Sequence, residues 1–146
     1  MVQITEDKLE SFLSNYGWAF KKVKDGVWRS GWQGAGRSYP LKISLCDTWL
    51  SFEIDPLVTM DIEWDSWPEI SSFLLELNHH CRMVKVSLND SGGVCLVLEV
   101  FTGKLDYSDF SDAMGVIGFY ADYVDEEFRL LLERIGYSDE LGNLPF

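Results

Sequence analysis

Residues 84–100, VKVSLNDSGGVCLVLEV, contain the clearest structural pattern in the chain. Apolar residues recur at every second position on both sides of the segment NDSGG, residues 89–93. This alternation is typical of strands with one buried face, because successive side chains of a strand point to opposite faces. Asn, Asp, Ser and Gly between two such runs favour a tight connection. The segment therefore predicts an antiparallel β-hairpin.

Further strand-like segments lie between residues 18 and 54, namely WAFKKV, GVWRSGW, YPLKISL and TWLSFEI. Turn residues such as Asp25 and Gly26 separate them. Their apolar residues alternate with polar ones, and Gly-rich breaks punctuate the pattern. These segments predict a meander of three or so antiparallel strands.

Three other segments repeat apolar residues every three or four positions, which predicts amphipathic helices. The first follows Thr5 as its N-cap, the second follows a capping box of Ser66 and Glu69, and the third is capped by Asp106 or Ser108. The element order is α-βββ-α-ββ-α, and we predict an α+β fold in which helices pack on one face of an antiparallel sheet. Residues 1–146 are expected to form a single domain, with a loosely held tail from about residue 136.

The charge balance restricts the class of partner. The chain carries 24 Asp and Glu against 12 Lys and Arg, a formal charge of −12. Such a field repels nucleic acid and anionic membrane surfaces and favours basic or neutral partners. All of the excess acid lies after residue 55, where there are seventeen acidic residues and five basic ones. We therefore expect neither a nucleic-acid partner nor a membrane partner.

The cysteines and the hydropathy indicate a cytoplasmic protein. Cys46, Cys81 and Cys95 are too few and too scattered for a disulfide framework, and they form no CxxC pair. No segment approaches the ~20 apolar residues that span a bilayer. We expect a reducing compartment and no membrane span.

Three motifs are candidate sites for chemistry. Residues 31–38, GWQGAGRS, resemble a phosphate-binding loop, but Arg37 replaces its Lys and a strand pattern follows in place of a helix. His79, His80 and Cys81 are adjacent on a helix and point about 100° apart, so they cannot converge on one ion. Residues 31–38 are more simply interpreted as a glycine-rich connection between strands. Residues 79–81 are more simply interpreted as a helix C-terminus.

The third motif is a run of alternating carboxylates. Asp61, Glu63 and Asp65 resemble the start of an EF-hand loop, which then fails at Ser66 and Ser72. A solvated acidic edge explains them more simply. We therefore predict no catalytic residue, no metal ligand and no cofactor.

The aromatic residues point to a binding surface. Trp49 alternates out of register with the apolar face of its strand, so Trp49, Ser51 and Glu53 fall on the side opposite the expected core. Trp28 and Trp32 stand at the end of another strand and its turn. Exposed aromatic residues within polar surface are typical anchors of protein interfaces. We predict that these five residues contact a partner.

The region from residue 70 to 133 resembles the YbjN family. The resemblance rests on the helix ending LLELN (74–78), on the hairpin at 84–100, and on Leu105 leading into a long helix through Asp109, Ala113 and Tyr120. That family has the fold of class I type III secretion chaperones. The resemblance implies a small, acidic, often dimeric cytoplasmic domain that binds a segment of another protein, without a cofactor or a reaction.

These observations favour a non-enzymatic protein-binding module, chaperone-like or an adaptor, that holds a partner segment on its sheet, and we expect a homodimer. The alternative is a regulatory domain that binds a small molecule or a divalent ion through the glycine-rich loop or the acidic run. An enzyme would need a pocket that gathers Arg37, His79 or carboxylates from separate elements.

Overall fold

The structure is a computed structural model that describes residues 4–59 and 66–136. Three helices lie within these ranges: α1 (Glu6–Tyr16), α2 (Trp67–His80) and α3 (Tyr107–Ile135). The same ranges contain six strands: β1 (Phe20–Lys24), β2 (Val27–Gln33), β3 (Ser38–Cys46), β4 (Trp49–Val58), β5 (Val84–Leu88) and β6 (Val94–Phe101). The predicted tail beyond Gly136 lies outside the described residues.

The six strands form one sheet in the order β1-β2-β3-β4-β6-β5, and every neighbouring pair is antiparallel. The predicted α+β class and the predicted hairpin are confirmed. Each strand-like segment between residues 18 and 54 forms its own strand, so the meander has four members where the sequence indicated three or so. The second run of strands joins the sheet beside β4, which brings β6 against the meander.

Local signals account for two of the three helix starts. Thr5 caps α1 by accepting a hydrogen bond from the Lys8 amide at 3.1 Å. Asp106 and Asp109 cap α3 with a reciprocal capping box, which decides between the two predicted caps. The predicted capping box at Ser66 is wrong: the Ser66 backbone is already helical, and its side chain makes no capping hydrogen bond. An N-cap needs extended backbone to turn its side chain onto the first free amides.

The helices cover one face of the sheet. Leu50, Phe52 and Ile54 of β4 point toward them and are fully buried. The Phe110 ring of α3 lies 5.8 Å from the Phe52 ring and 5.6 Å from the Phe12 ring of α1, between ring centroids. Burial of side chains of this size contributes about 1.5–3 kcal/mol each. One continuous apolar layer therefore joins the sheet to the helices.

One of the two outer strands is capped by a side chain. Asn78 of α2 donates to the Val86 carbonyl at 2.9 Å and accepts from the Val86 amide at 2.8 Å. Its carboxamide thus imitates a neighbouring strand at the outer side of β5. This contact opposes strand addition at Val86.

Within the described ranges, no helix combines the length and the apolar character that crossing a membrane requires.

Candidate protein-binding surface

The sheet face turned away from the core, which we call the open face, is not covered by any described helix. Its side chains alternate with the core-facing ones along each strand and, apart from the buried Cys95, those described are exposed or half-buried. Strand pairing aligns them in rows across the sheet. The central residues of the open face are Arg29, Lys42, Ser44, Trp49, Ser51, Glu53, Lys85, Val97, Glu99 and Phe101.

An aromatic pair occupies one end of the open face. Trp49 of β4 stands directly opposite Phe101 of β6, and their ring centroids are 5.5 Å apart with the planes inclined at 71°. Trp49 is 48% exposed and Phe101 is 44% exposed. The Thr102 amide donates to the Thr48 carbonyl at 2.8 Å, which continues the strand pairing beyond the two rings and fixes their spacing. Both rings are therefore held in place while half of each remains available to a partner.

Polar and charged residues surround this pair on the same face. Ser51 stands opposite Glu99, and Glu53 stands between Lys42 and Val97. Lys85 and Glu99 form an ion pair at 2.5 Å between exposed side chains. Charges of both signs around an apolar centre are the usual construction of a protein interface. The face thus suits a polypeptide better than a small apolar ligand.

The tryptophans predicted to contact a partner lie on different faces of the sheet. Trp49, with Ser51 and Glu53, lies on the open face, as its position in the strand pattern indicates. Trp28 points the other way: it is fully buried, and its Nε1 donates to Glu10 of α1 at 2.9 Å. The prediction that Trp28 contacts a partner is therefore wrong, because its indole is part of the core.

Trp32 also lies on the helix side. It is half-buried, and its ring centroid is 5.4 Å from that of Trp18. A Cβ added to Gly118 of α3 would stand 2.8 Å from the nearest ring carbon of Trp32, so the glycine permits close packing of α3 on this ring. Trp32 is thus a packing residue that takes no part in the open face.

Hydrogen bonds hold the glycine-rich loop, residues 31–38, against α3. Arg37 donates to Asp125 at 2.7 Å and to the Leu57 carbonyl, and Asp125 also accepts from Arg129 at 3.1 Å. Beside it, the Ala35 amide donates to Asp122 at 3.0 Å. The cation that a phosphate would need is already bound to a buried carboxylate, so the loop has a structural role.

The Arg37 contact also shapes the environment of Tyr39. The guanidinium lies 4.9 Å from the centre of the Tyr39 ring, and the ring itself is buried. Burial raises the pKa of the Tyr39 hydroxyl to about 12, and the nearby carboxylates of Asp125 and Asp122 act in the same direction. Tyr39 therefore remains protonated and hydrogen-bonded near neutral pH.

The other proposed sites for chemistry gain no support from geometry. His79 and His80 lie in the last turn of α2, as the helix C-terminus interpretation predicts. Among the described residues, no group of three or more His, Cys, Asp or Glu side chains is arranged to hold a metal ion. Asp61, Glu63 and Asp65 lie outside the described residues.

The buried thiols are shielded from reaction. Cys95 donates to Asp55 at 3.0 Å, and burial, with this contact, raises the pKa of its thiol to about 12. Burial likewise raises the pKa of Cys81. Thiolate is the nucleophilic form, and burial disfavours it at both residues. Cys46 is exposed and lies opposite Trp49 on the open face.

Sequence reasoning missed the second ring of the aromatic pair. Phe101 ends the alternating run of β6, and its position out of register with Leu96, Leu98 and Val100 was a usable signal for the open face. No local pattern indicates the pairing of β6 with β4, because a helix and another strand separate them in the sequence. The sheet order alone brings Phe101 to Trp49.

Solved structures with the same architecture exist. YbjN from E. coli, a proposed transcription regulator, superimposes with a TM-score of 0.58 at 16% identity, over 87% of this chain and 96% of that one. The chain has a YbjN-like fold. The YbjN-like fold also occurs in the heterodimeric ExoU–SpcU complex of the type III secretion system of Pseudomonas aeruginosa, with a TM-score of 0.53 at 18% identity, over 79% of this chain and 93% of that one. No protein-family model and no curated protein sequence matches the chain.

Proposed function

We propose that the chain is a non-enzymatic protein-binding module, chaperone-like or an adaptor, that holds a segment of a partner protein on the open face of its sheet. The observation that carries this proposal is the Trp49–Phe101 pair, half-exposed and bordered by charges on a face that no described helix covers. Aromatic anchors of this kind supply much of the binding energy in protein interfaces. The ExoU–SpcU complex adds support, since one of its chains shares the fold and is bound to another protein.

Tyr39 and Cys95 are poorly suited to acid–base catalysis. Tyr39 and Cys95, whose pKa values are both raised to about 12, are buried and committed to structural contacts. A catalytic acid or base instead needs a pKa near the working pH and access to a substrate. Neither side chain offers these properties. We place the protein in the cytoplasm, where its three thiols stay reduced.

The exposed thiol of Cys46 makes a direct test possible. A benzophenone maleimide attached to Cys46 stands beside Trp49, whereas Cys81 and Cys95 are buried and escape labelling. Irradiation in a lysate of the source cells should cross-link the protein to a partner of defined mass. The matched control combines Cys46→Ser with Leu75→Cys, which moves the label to an α2 side chain that is 72% exposed.

The proposal requires a cross-linked partner from the label at position 46 and a much weaker one from position 75. Equal cross-linking from both positions, or no cross-link from position 46, would contradict it. A mass of twice the 16.8 kDa chain by light scattering would establish the homodimer that we also propose. A monomer that still binds its partner would contradict the proposed homodimer and leave the proposed protein-binding function intact.

The alternative, binding of a small molecule or a divalent ion, has less support. Arg37 of the glycine-rich loop is bound to Asp125 and Leu57. A thermal-shift screen with nucleotides and divalent ions distinguishes the two functions, because a ligand at 100 times its dissociation constant stabilises the folded state by about 2.7 kcal/mol. We expect no shift of that size.

A further inference from the structure

A groove on the outer side of the helix layer is separate from the open face. It lies between α3 and the turn Arg82–Met83 that precedes β5, and its volume is about 570 Å³. Phe119 and Met83 on its walls are 63% and 58% exposed. Gly115 is exposed on the groove, and a Cβ built there would meet no atom within 4 Å, so the space above it is open. Contiguous exposed apolar surface of this kind marks interaction sites in proteins.

The walls of this groove are held in position. The Arg82 amide donates to the Tyr120 hydroxyl at 3.0 Å, which ties the turn to α3. Phe119 packs against Tyr120 at 5.1 Å and is stacked parallel to Tyr123 at 6.4 Å, between ring centroids. Met83 has a φ of +66°, a conformation that favours glycine or asparagine. Met83 thus places a large exposed apolar side chain at an unfavourable backbone conformation, and such conformations cluster at functional sites.

The charges around the groove are mainly acidic. Asp112 lies on the groove itself, and a second cavity of about 550 Å³, on the far side of Phe119, is lined by Asp122, Glu126 and Glu127. Arg82 is the opposing charge on the first cavity, and Arg129 of the second is already paired with Asp125. A second copy of this chain would bring the same acids to the contact and be repelled. A basic occupant would be attracted.

The spacing of the exposed residues indicates the shape of the occupant. Gly115, Phe119 and Tyr123 lie at four-residue intervals along α3, and Val116 and Tyr120 form a second row with the same interval. Such rows form the ridges and grooves into which a second helix packs, and a glycine in the row allows close approach. An extended peptide has no comparable match to this pattern.

We propose that this surface, the Phe119 groove, binds an amphipathic helix of a partner protein whose apolar stripe is flanked by Lys and Arg. Phe119 and Met83 contact the apolar stripe, Gly115 admits its largest side chain, and the acids on both sides of Phe119 pair with the basic flanks. The Phe119 groove lies on the helix layer and the open face on the other side of the sheet. The protein would thus hold two polypeptide segments at once.

The test uses a fluorescein-labelled peptide of Leu and Lys, about five helical turns long, with its leucines on one face. Binding to the full chain is followed by anisotropy near physiological salt, against a scrambled peptide of equal composition that lacks the stripe. Phe119→Ala should weaken binding about tenfold or more, as loss of an aromatic anchor does. Trp49→Ala, on the open face, should leave binding unchanged, which separates this proposal from the proposed function.

Two substitutions at Gly115 separate binding from folding. Gly115→Ala and Gly115→Lys both replace glycine by a better helix former in open space, so both should raise the melting temperature. Gly115→Ala leaves most of the groove free and should retain binding, whereas Gly115→Lys fills it with a cation and should abolish binding. Equal affinities for these two variants would overturn the proposal.

Three other results would also overturn it. The first is absence of binding by the unmodified chain, and the second is equal binding of the scrambled peptide. The third is a dimer in sedimentation that Phe119→Ala converts to a monomer, because the groove would then be an interface between copies of the chain.

Discussion

Substitution of Asp125 by Ala should destabilise the protein strongly. The Asp125 carboxylate accepts from Arg37 at 2.7 Å and from Arg129 at 3.1 Å, with side chains that are 9%, 12% and 33% exposed in the same order. Removing one partner of a buried pair costs about 3–5 kcal/mol, because a buried charge is left without its counter-charge. Arg37 keeps its contacts with the Leu57 carbonyl and the Tyr39 ring. We therefore expect the lower limit, about 3 kcal/mol.

Urea unfolding, followed by tryptophan fluorescence, measures this loss directly. For a chain of this size, about 3 kcal/mol corresponds to a melting temperature lower by roughly 6–12 °C. Arg129→Ala is the matched control: its side chain is one-third exposed, so its loss should cost at most about 1 kcal/mol.

The double variant Arg37→Met with Asp125→Leu removes both buried charges and should recover about 2 kcal/mol or more of the loss. A loss below about 1 kcal/mol for Asp125→Ala would refute the structural role assigned to the glycine-rich loop. The glycine-rich loop would then be available to bind a ligand.

Four other predictions concern packing, the sheet edge, the accessibility of the thiols and the effect of pH. Gly118→Ala should destabilise by about 1–3 kcal/mol in thermal melts, because its Cβ would stand within 3 Å of the Trp32 ring, whereas the open position Gly115 should gain up to about 1 kcal/mol from the same change. Asn78→Leu removes both hydrogen bonds to Val86 and should cost about 1–3 kcal/mol in urea unfolding; a neutral result would exclude a capping role. A thiol reagent should modify Cys46 in the folded protein and reach Cys81 and Cys95 only in urea. Because the pKa of Cys95 is raised to about 12, the unfolded chain loses that proton first, so stability should fall as pH rises from about 9 to 12, and less steeply in Cys95→Ala.

Much of the fold follows from local patterns. The hairpin at 84–100, the Thr5 cap and the long third helix depend on residues close together in the sequence, and their signals are strong. Ser66 shows that a capping-box sequence does not by itself produce a cap, because the backbone at that residue is helical. Cap motifs specify a helix start only where the preceding backbone is extended.

The candidate surface was only partly predictable. Trp49 was placed on the open face because Leu50, Phe52 and Ile54 define the buried side of its strand. Trp28 was misassigned although a signal existed: Arg29 is charged and alternates with it, which puts the tryptophan on the buried side. Phe101 joins Trp49 only through the pairing of β4 with β6, and such long-range pairing is not encoded in either strand by itself.

Capture of a partner by three forms of the protein tests whether the open face is the binding surface. Immobilised wild type, Trp49→Ala and Leu75→Ala are incubated with a lysate of the source cells, and bound proteins are quantified by mass spectrometry. Trp49 belongs to the open face and is 48% exposed, whereas Leu75 lies on α2 and is 72% exposed. We predict a protein that wild type and Leu75→Ala retain equally and that Trp49→Ala recovers at about one-tenth of that level or less. Equal recovery by all three forms would contradict the assignment of the open face as the binding surface.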